Sequence, residues 1–214
     1  MAHISSLQIG PIVTEGDPSV RDVRYRRWTS AFRKSPVPGR HLVGAMGIAG
    51  DHVADTRHHG GLDKAILCYA QGHYSDWQAE FPELAFGPGG FGENLTIAQA
   101  DESAVCLGDR FRIGDSEVQV SQPRQPCWKI ARRWGEKTMT KRVIQTGRTG
   151  WYLRVLMPGE IEAGMELVLL DRPHPSWTVR RANEMMFGKD VDRADLSELM
   201  AIDELAYAWK RDVM

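Results

Sequence analysis

Short alternating runs of hydrophobic and polar residues recur along most of the chain. Val118 and Val120 alternate with Glu117 and Gln119, and this period of two is typical of a half-buried β-strand. Residues 109–114 and 117–122 predict a hairpin across the turn Gly114-Asp115-Ser116. The same reasoning predicts further strands over residues 3–9, 28–37, 42–43, 65–69, 151–156 and 166–170. The pattern therefore predicts a mainly β body.

Helical spacing appears in the gaps between these strands and dominates the end of the chain. Tyr74, Trp77 and Phe81 predict a helix over residues 72–81, and residues 129–134 and 138–145 predict two short basic helices, the second ending at Gly147. A proline-marked linker follows at residues 171–175, and beyond it apolar residues at helical spacing predict three short helices.

These patterns define a fold class and a division of the chain. We predict an α+β protein that is mainly β, with a β-barrel domain over residues 1–171 and a small three-helix domain over residues 172–214. A tail of roughly 40 residues can hardly bury a core alone, so it should pack on the barrel or on a partner. A helix-turn-helix DNA reader is the other interpretation of the tail, but its acidic residues offset its basic ones.

Composition excludes several classes of protein. The chain has 214 residues, of which 42% are hydrophobic and 26% charged, with a formal net charge of -1. This balance argues against nucleic acid or a membrane surface as the main partner. No apolar run approaches the length of a membrane span, and residues 1–10 lack the features of a signal peptide, so a cytoplasmic location is predicted.

Cysteine usage singles out one thiol. The chain has three cysteines and no CxxC pair, which argues against a disulfide framework or a structural zinc site. Cys68 and Cys106 lie among apolar neighbours and are predicted to be structural. Cys127 instead follows the strand, which should stop near Gln122 because Pro123 lacks an N–H donor, on a stiff loop between Arg124 and Lys129. Two cations this close would favour thiolate over thiol.

Two polar, glycine-containing loops could complete a site around that thiol. Residues 55–64 combine basic groups with Gly60-Gly61, which suits either an anion cradle or a charged hairpin with a glycine turn. His58 and His59 are adjacent, so at most one of them should face the site. The second loop, residues 86–94, ends in Glu93 and Asn94, which could orient a polar ring system if they point inward.

These residues alone support three interpretations. Cys127 could be a nucleophile partnered by His58 or His59, as in cysteine hydrolases. It could be a soft ligand to a metal or metal cofactor, with the cations and backbone amides holding a phosphate. The protein could also be a small-molecule-binding barrel in which the cysteine has no role. Residue spacing does not choose among them.

Four motifs, in this order, resemble a known family. They are Gly50-Asp51 with Ala54-Asp55, His59-Gly60-Gly61-Leu62-Asp63-Lys64-Ala65, Phe91-Gly92-Glu93-Asn94-Leu95, and Val120-Ser121-Gln122-Pro123-Arg124-Gln125-Pro126-Cys127. Together they resemble the MOSC domain, the family named for the C-terminal domain of molybdenum cofactor sulfurase, and in particular its YiiM-like bacterial branch. The likeness runs from about Ile4 to Leu170, and the tail resembles the helical domain that follows the barrel in that branch.

The resemblance implies a barrel that binds molybdenum cofactor, in its mononucleotide-free form, with Cys127 as the protein's ligand to molybdenum. Carried over position by position, it also implies that Arg57, His59, Gly60 and Gly61 hold the cofactor and its phosphate. Asn94 would bond the pterin, and Ser121, Gln122 and Arg124 would line the approach to the metal.

The implied activity is an oxidoreductase reaction. Similar proteins reduce N-hydroxylated compounds, notably hydroxylamino purines, and so detoxify base analogues with two electrons from a flavoprotein donor. The resemblance also extends to proteins that carry the cofactor or its sulfur without reductase turnover. We expect neither pyridoxal phosphate nor a membrane or specific nucleic-acid partner. The oligomeric state is left open, with a homodimer as one option.

Overall fold

The computed structural model describes residues 1–22, 25–188 and 192–213. Within these ranges the strands are β1 (His3–Ile9), β2 (Val13–Glu15), β3 (Trp28–Ser30), β4 (Ser35–Pro36), β5 (His41–Gly44), β6 (Gly47–Ile48), β7 (Ile66–Ala70), β8 (Leu95–Ala98), β9 (Arg110–Ile113), β10 (Ser116–Pro123), β11 (Trp151–Met157), β12 (Gly159–Ile161) and β13 (Val168–Asp171). The α-helices are α1 (Gly72–Glu80), α2 (Lys129–Trp134), α3 (Met139–Thr146), α4 (Val179–Phe187), α5 (Arg193–Met200) and α6 (Tyr207–Val213).

Eight of these strands form one curled sheet in the order β13-β9-β10-β11-β7-β8-β1-β4. Neighbours are antiparallel except β7 and β8. The start of β1 also bonds to the segment just before β13: Ile4 N donates to Met165 O (2.9 Å) and Gly164 N to Ile4 O (2.7 Å). These bonds bring the β13 end of the sheet back to β1, the neighbour of the terminal strand β4, so the sheet curls back on itself as a barrel. The small sheets β12-β5-β6 and β2-β3 lie outside it.

The core encloses β10 more fully than its alternating pattern predicts: from Val118 onward this strand is buried on both faces instead of half-buried. Val118 and Val120 of β10 are wholly buried and share one hydrophobic cluster with β1, β7 and β8. The same cluster contains Trp177 of the tail and Trp209 of α6. The tail therefore packs on the barrel, as its short length requires. A second cluster of aromatic residues lies between α1, α2 and α3, around Trp77 and Phe91.

Most of the predicted elements are confirmed. The mainly β fold, the hairpin of β9 and β10, the helices α1 to α3 and the three helices of the tail are all present. Gly147 closes α3 in the left-handed conformation, at φ 70°, that a helix end favours in glycine. The boundary between residues 171 and 172 stays a prediction, and one continuous core spans it. None of the described helices is long and apolar enough to cross a membrane.

Two predictions about the N-terminal part were wrong. The strand expected over residues 28–37 is two short strands, β3 and β4, in different sheets. The break follows Ser30, whose Oγ accepts a hydrogen bond from Phe32 N (3.0 Å) and turns Phe32 into the interior. The connection expected over residues 10–27 contains β2, which pairs with β3.

Candidate functional site

An open cleft lies beside the end of β10. Its walls come from segments that are distant in sequence: the turn after β3, residues 46–48, the 51–60 loop, residues 64–67, the end of the glycine loop, the cysteine loop after β10, and Tyr152 of β11. Of the residues predicted for the site, the cleft is lined by Cys127, Arg124, His59, Gly60 and Asn94.

Cys127 is the cysteine that reaches this cleft. Its thiol is half-buried, while Cys68 and Cys106 are enclosed in the core. Burial raises the pKa of both core thiols, so they remain protonated at neutral pH. The carbonyl of Cys127 accepts hydrogen bonds from Ile130 N and Thr140 Oγ1, both at 3.2 Å. These bonds fix the loop that presents the thiol.

Arg124 brings a buried positive charge to the cleft. Its side chain is 3% exposed, and its guanidinium donates to the carbonyls of Phe91 (3.0 Å) and Thr149 (3.5 Å). Both partners are neutral, and Arg124 forms no ion pair within the part of the chain that is described. The charge of this guanidinium is therefore free to act on a ligand.

Lys129 supplies a second buried charge. This residue is 7% exposed and, among the described residues, its ammonium has neither a hydrogen bond nor an ion pair. The charge of Lys129 acts on the nearby Asp55 carboxylate without a bond between them, so the hydrogen bonds of this ammonium are available to an anionic ligand in the cleft.

His59 faces the same cations. Burial, followed by the nearby charges of Lys129 and Arg124, lowers its pKa from 6.5 to about 4. The imidazole is therefore neutral at neutral pH. His58 is exposed and lies 3.2 Å from Asp55 Oδ2, so one of the two histidines faces the cleft, as the sequence pattern predicts.

Asn94 lines the cleft, but its amide is already engaged. Its Oδ1 accepts from Leu67 N (3.1 Å), and its Nδ2 donates to Asp51 Oδ2 (2.8 Å). Asp51 also accepts from Gly10 N (2.9 Å) and from the Lys34 ammonium. Asn94 thus holds one wall of the cleft in place, and the predicted bond from Asn94 to a pterin stays a prediction.

The remaining predicted site residues lie outside the cleft lining. Arg57 is exposed on the 51–60 loop, and Gly61 precedes the 3-10 turn Leu62–Lys64. We expected Ser121 and Gln122 to line the approach to the metal. Both side chains are instead wholly buried, and neither lines the cleft. The register of β10 shifts at a bulge between Val120 and Gln122, which breaks the simple alternation of faces. A role of these four residues in cofactor binding stays a prediction.

Ser121 and Glu93 are buried residues whose hydrogen bonds fix the segments around the cleft. The hydroxyl of Ser121 donates to Asp63 O (2.5 Å) and so anchors the turn that carries Lys64 to β10. Glu93 is wholly buried, and its carboxylate accepts from Gly89 N (2.7 Å), Phe91 N (3.0 Å) and the Tyr74 hydroxyl. This carboxylate fixes the shape of the glycine loop instead of pointing inward to a ligand.

The sequence patterns do not anticipate Lys34 or Tyr152, which also line the cleft. Lys34 follows the unexpected turn after β3, and no local motif marks it. Burial lowers its pKa, and the neighbouring Asp51 acts in the opposite direction. Asp51 does stand in the Gly50-Asp51 motif, which is the signal that could have drawn attention to this pair.

The C-terminal tail forms hydrogen bonds with the cysteine loop and with residues next to it. Gln125 Nε2 donates to Asp212 Oδ2 of α6 (3.1 Å). Asn183 Nδ2 of α4 donates to Thr149 Oγ1 (2.7 Å), and the carbonyl of Thr149 accepts from Arg124. Ala206 N donates to Ser121 O (2.9 Å). The tail therefore contacts the segment that carries both Arg124 and Cys127.

The donor set of the cleft fits a phosphorylated metal cofactor. It offers one thiol, a neutral imidazole and two cations, Arg124 and Lys129, that form no ion pair among the described residues, although the carboxylates of Asp51 and Asp55 also line it. The described residues contain no group of three His, Cys, Asp or Glu side chains placed to hold a bare metal ion. Cys127 would therefore be a single protein ligand to a metal that its cofactor otherwise holds, with the cations facing the cofactor's negative charge.

Comparisons with known proteins match both parts of the chain. The family model described as "MOSC domain" matches residues 55–168, and that described as "YiiM-like, 3-alpha helix domain" matches residues 177–214. The crystal structure of YiiM from Geobacillus stearothermophilus superimposes with a TM-score of 0.82 at 31% identity, covering 100% of this chain and 97% of that one.

Two sequence relatives add further similarity. The uncharacterized protein YflK of Bacillus subtilis is 36% identical over 199 residues, which are 93% of this chain and 90% of the relative. A protein of Gibberella moniliformis named "Reductase" is 38% identical over 173 residues, which are 79% of this chain but 31% of that longer protein.

Proposed function

Because this chain belongs to the MOSC-domain family, we propose that it is a reductase of N-hydroxylated compounds, such as hydroxylamino purines, that binds molybdenum cofactor in the cleft at Cys127. The proposed role is the detoxification of base analogues. The name "Reductase" of the Gibberella relative supports the reaction class.

One observation carries the proposal: the thiol of Cys127 and the unpaired ammonium of Lys129 line the same cleft. A soft thiolate suits molybdenum, and a buried cation suits a phosphate. A ligand that needs both groups at once is a phosphorylated metal cofactor.

The residues of the cleft have separate tasks in this proposal. Cys127 ligates the metal, while Arg124 and Lys129 balance the negative charge of the cofactor. His59, with a pKa of about 4, adds no further positive charge at neutral pH. Its neutral imidazole can form a hydrogen bond with the substrate. When bound, the cofactor supplies the two-electron chemistry by which an N–OH group becomes an amine and water, and a flavoprotein donor restores the electrons.

A cysteine hydrolase fits the cleft less well. Such an enzyme activates its thiol with a histidine that holds a proton as imidazolium. The surroundings of His59 lower its pKa to about 4 and thus disfavour the charged imidazole. Residues Cys127 and His59 also share no hydrogen bond among the described contacts.

Metal analysis tests the proposal directly. Protein produced in a host that makes molybdenum cofactor should contain close to one molybdenum per chain, and Cys127→Ser should lose most of it. Cys106→Ala, which removes a buried thiol outside the cleft, is the matched control and should keep the metal. Zinc, or no metal, in the unaltered protein would contradict the proposal.

Turnover then separates the reductase from a carrier. The loaded protein, supplied with a flavoprotein reductase, should convert 6-hydroxylaminopurine to adenine, and Cys127→Ser should not. Full molybdenum loading without conversion would reject the reductase and favour a protein that carries the cofactor or its sulfur. Ester or amide hydrolysis that depends on His59 would favour the hydrolase instead.

A further inference from the structure

A second cleft lies beside the first and has different walls. It is lined by two tryptophans, four cations and one small residue: Trp28, Trp128, Arg26, Arg27, Arg132, Lys137 and Ala131. Trp128 directly follows Cys127, which lines the first cleft. Consecutive residues of one loop therefore border the two clefts.

The tryptophans form an open aromatic platform. Their rings meet edge to face, with centroids 5.6 Å apart and planes at 60°. Trp128 is 57% exposed, so much of its ring surface is open to solvent. An exposed indole held in place by a second one is suited to stacking against a flat aromatic ligand.

The charged side chains that line the platform are all cationic, and the nearby Glu136 acts on Lys137 from outside the lining. No acidic side chain lines this cleft among the described residues. Arg132 lies over the Trp28 ring, 5.5 Å from its centroid, and donates to the carbonyl of Arg26. The side chains of Arg26, Arg27 and Lys137 have no hydrogen bond or ion pair with any residue the structure describes. On a chain of net charge -1, this is a local concentration of unpaired positive charge.

From these observations we infer that the cleft binds a purine nucleotide, and that the substrates of the proposed reductase include N-hydroxylated purine nucleotides. The base stacks on Trp128, and the cations hold the phosphate. This inference rests on the proposed function. Two electrons from the flavoprotein donor and two protons from water convert the N–OH of the base to an amine and water, and the sugar and phosphate stay unchanged.

An aromatic and cationic cleft could also accept a single-stranded oligonucleotide or an acidic electron-donor protein. The mononucleotide is favoured because the unpaired cations surround one aromatic platform next to the thiol. An extended strand would need a row of such platforms.

Binding is tested on the full chain without cofactor. The probes are adenosine 5′-monophosphate and adenine, titrated by calorimetry and by tryptophan fluorescence. We expect saturable binding of the monophosphate, at least about tenfold tighter than that of adenine and weakened by salt. Trp128→Ala should weaken binding about tenfold or more, as the loss of a stacked base does. Lys137→Gln should weaken the binding of the monophosphate and leave the binding of adenine unchanged.

Matched variants control for general effects. Tyr207→Ala removes an aromatic side chain that is 75% exposed on α6, and Lys141→Gln removes an exposed lysine of α3. Both should bind the monophosphate as the unaltered protein does. The absence of saturable binding, or binding that Trp128→Ala leaves unchanged, would overturn the inference. Much tighter binding of oligo-dA than of the mononucleotide would also overturn it. So would a cleft that binds an acidic flavoprotein but not the monophosphate.

The outcome for the substrate is separable from that for the reductase. The loaded enzyme should show a higher kcat/KM for hydroxylamino-purine nucleotide than for the free base, and Trp128→Ala should remove the difference. Equal kcat/KM values would reject the nucleotide inference and leave the reductase standing. Trp128-dependent binding of the monophosphate with no reduction of any N-hydroxylated purine would reject the reductase and leave the binding site standing.

Discussion

Gln125 Nε2 lies 3.1 Å from Asp212 Oδ2, which joins the loop of Cys127 to the last helix across 87 positions of sequence. The bond is the main reason why the pKa of Asp212 is lowered. Through this bond the three-helix tail directly contacts the loop that presents the Cys127 thiol.

Loss of this bond should loosen the cysteine loop. Gln125→Ala should lower the free energy of unfolding by about 1 kcal/mol. It should also speed the alkylation of Cys127 by iodoacetamide, while Cys68 and Cys106 remain protected in the core. Mass spectrometry follows each thiol, and NMR titration should show the pKa of Asp212 moving up towards its ordinary value. Asp203→Ala, an exposed carboxylate of the same tail, is the control. Unchanged alkylation in Gln125→Ala would mean that the tail does not restrain the loop.

Lys129 should bind anions. In Lys129→Gln the free energy of unfolding should change little, because the Lys129 ammonium forms no hydrogen bond or ion pair among the described residues. Phosphate at constant ionic strength should raise the Tm of the unaltered protein. At a phosphate concentration of tenfold the Kd, the free energy of unfolding should rise by about 1.4 kcal/mol. Lys129→Gln should lose this response, and Lys141→Gln should keep it. Equal responses to phosphate in Lys129→Gln and the unaltered protein would exclude Lys129 as the anion site.

His59 should make stability depend on pH. Its pKa is about 4 in the folded chain and near 6.5 when unfolded, so the unfolded chain binds the extra proton first as the pH falls. Relative to His59→Gln, the unaltered protein should lose stability between about pH 6.5 and pH 4 and lose no more below that range. Urea unfolding at a series of pH values measures this difference. His58→Gln removes the neighbouring imidazole outside the cleft, and an equal effect of both substitutions would contradict the cause assigned to His59.

Gly150 should be irreplaceable where Gly164 is not. A Cβ at Gly150 would lie 2.4 Å from the backbone oxygen of Cys68, at a φ of +80°. The carbonyl of Gly150 also accepts from Arg124 N (3.0 Å), so a shift here would displace Arg124. Gly164 has a similar φ of +93° but open space around it, so Gly164→Ala should cost only about 1–2 kcal/mol from the left-handed backbone. Denaturant unfolding should show a clearly larger loss for Gly150→Ala, and equal losses would contradict the steric reason.

Much of this protein is determined by residues close together in sequence. The alternation of Val118 and Val120 predicts β10, the spacing of Tyr74 and Trp77 predicts α1, and Gly147 marks the end of α3. The apolar neighbours of Cys68 and Cys106 correctly place both thiols in the core. Strand and helix periods, and the burial of short segments, depend on local side-chain patterns, which is why the sequence alone reveals them.

Tertiary packing decided which side chains meet in the cleft. The bulge after Val120 removes Ser121 and Gln122 from the lining, and the turn at Ser30 brings Lys34 to Asp51. Gln125 and Asp212 become partners only because the tail packs on the barrel. Bulges, turn directions and contacts between distant segments depend on how the whole core fills space, and no local period records them.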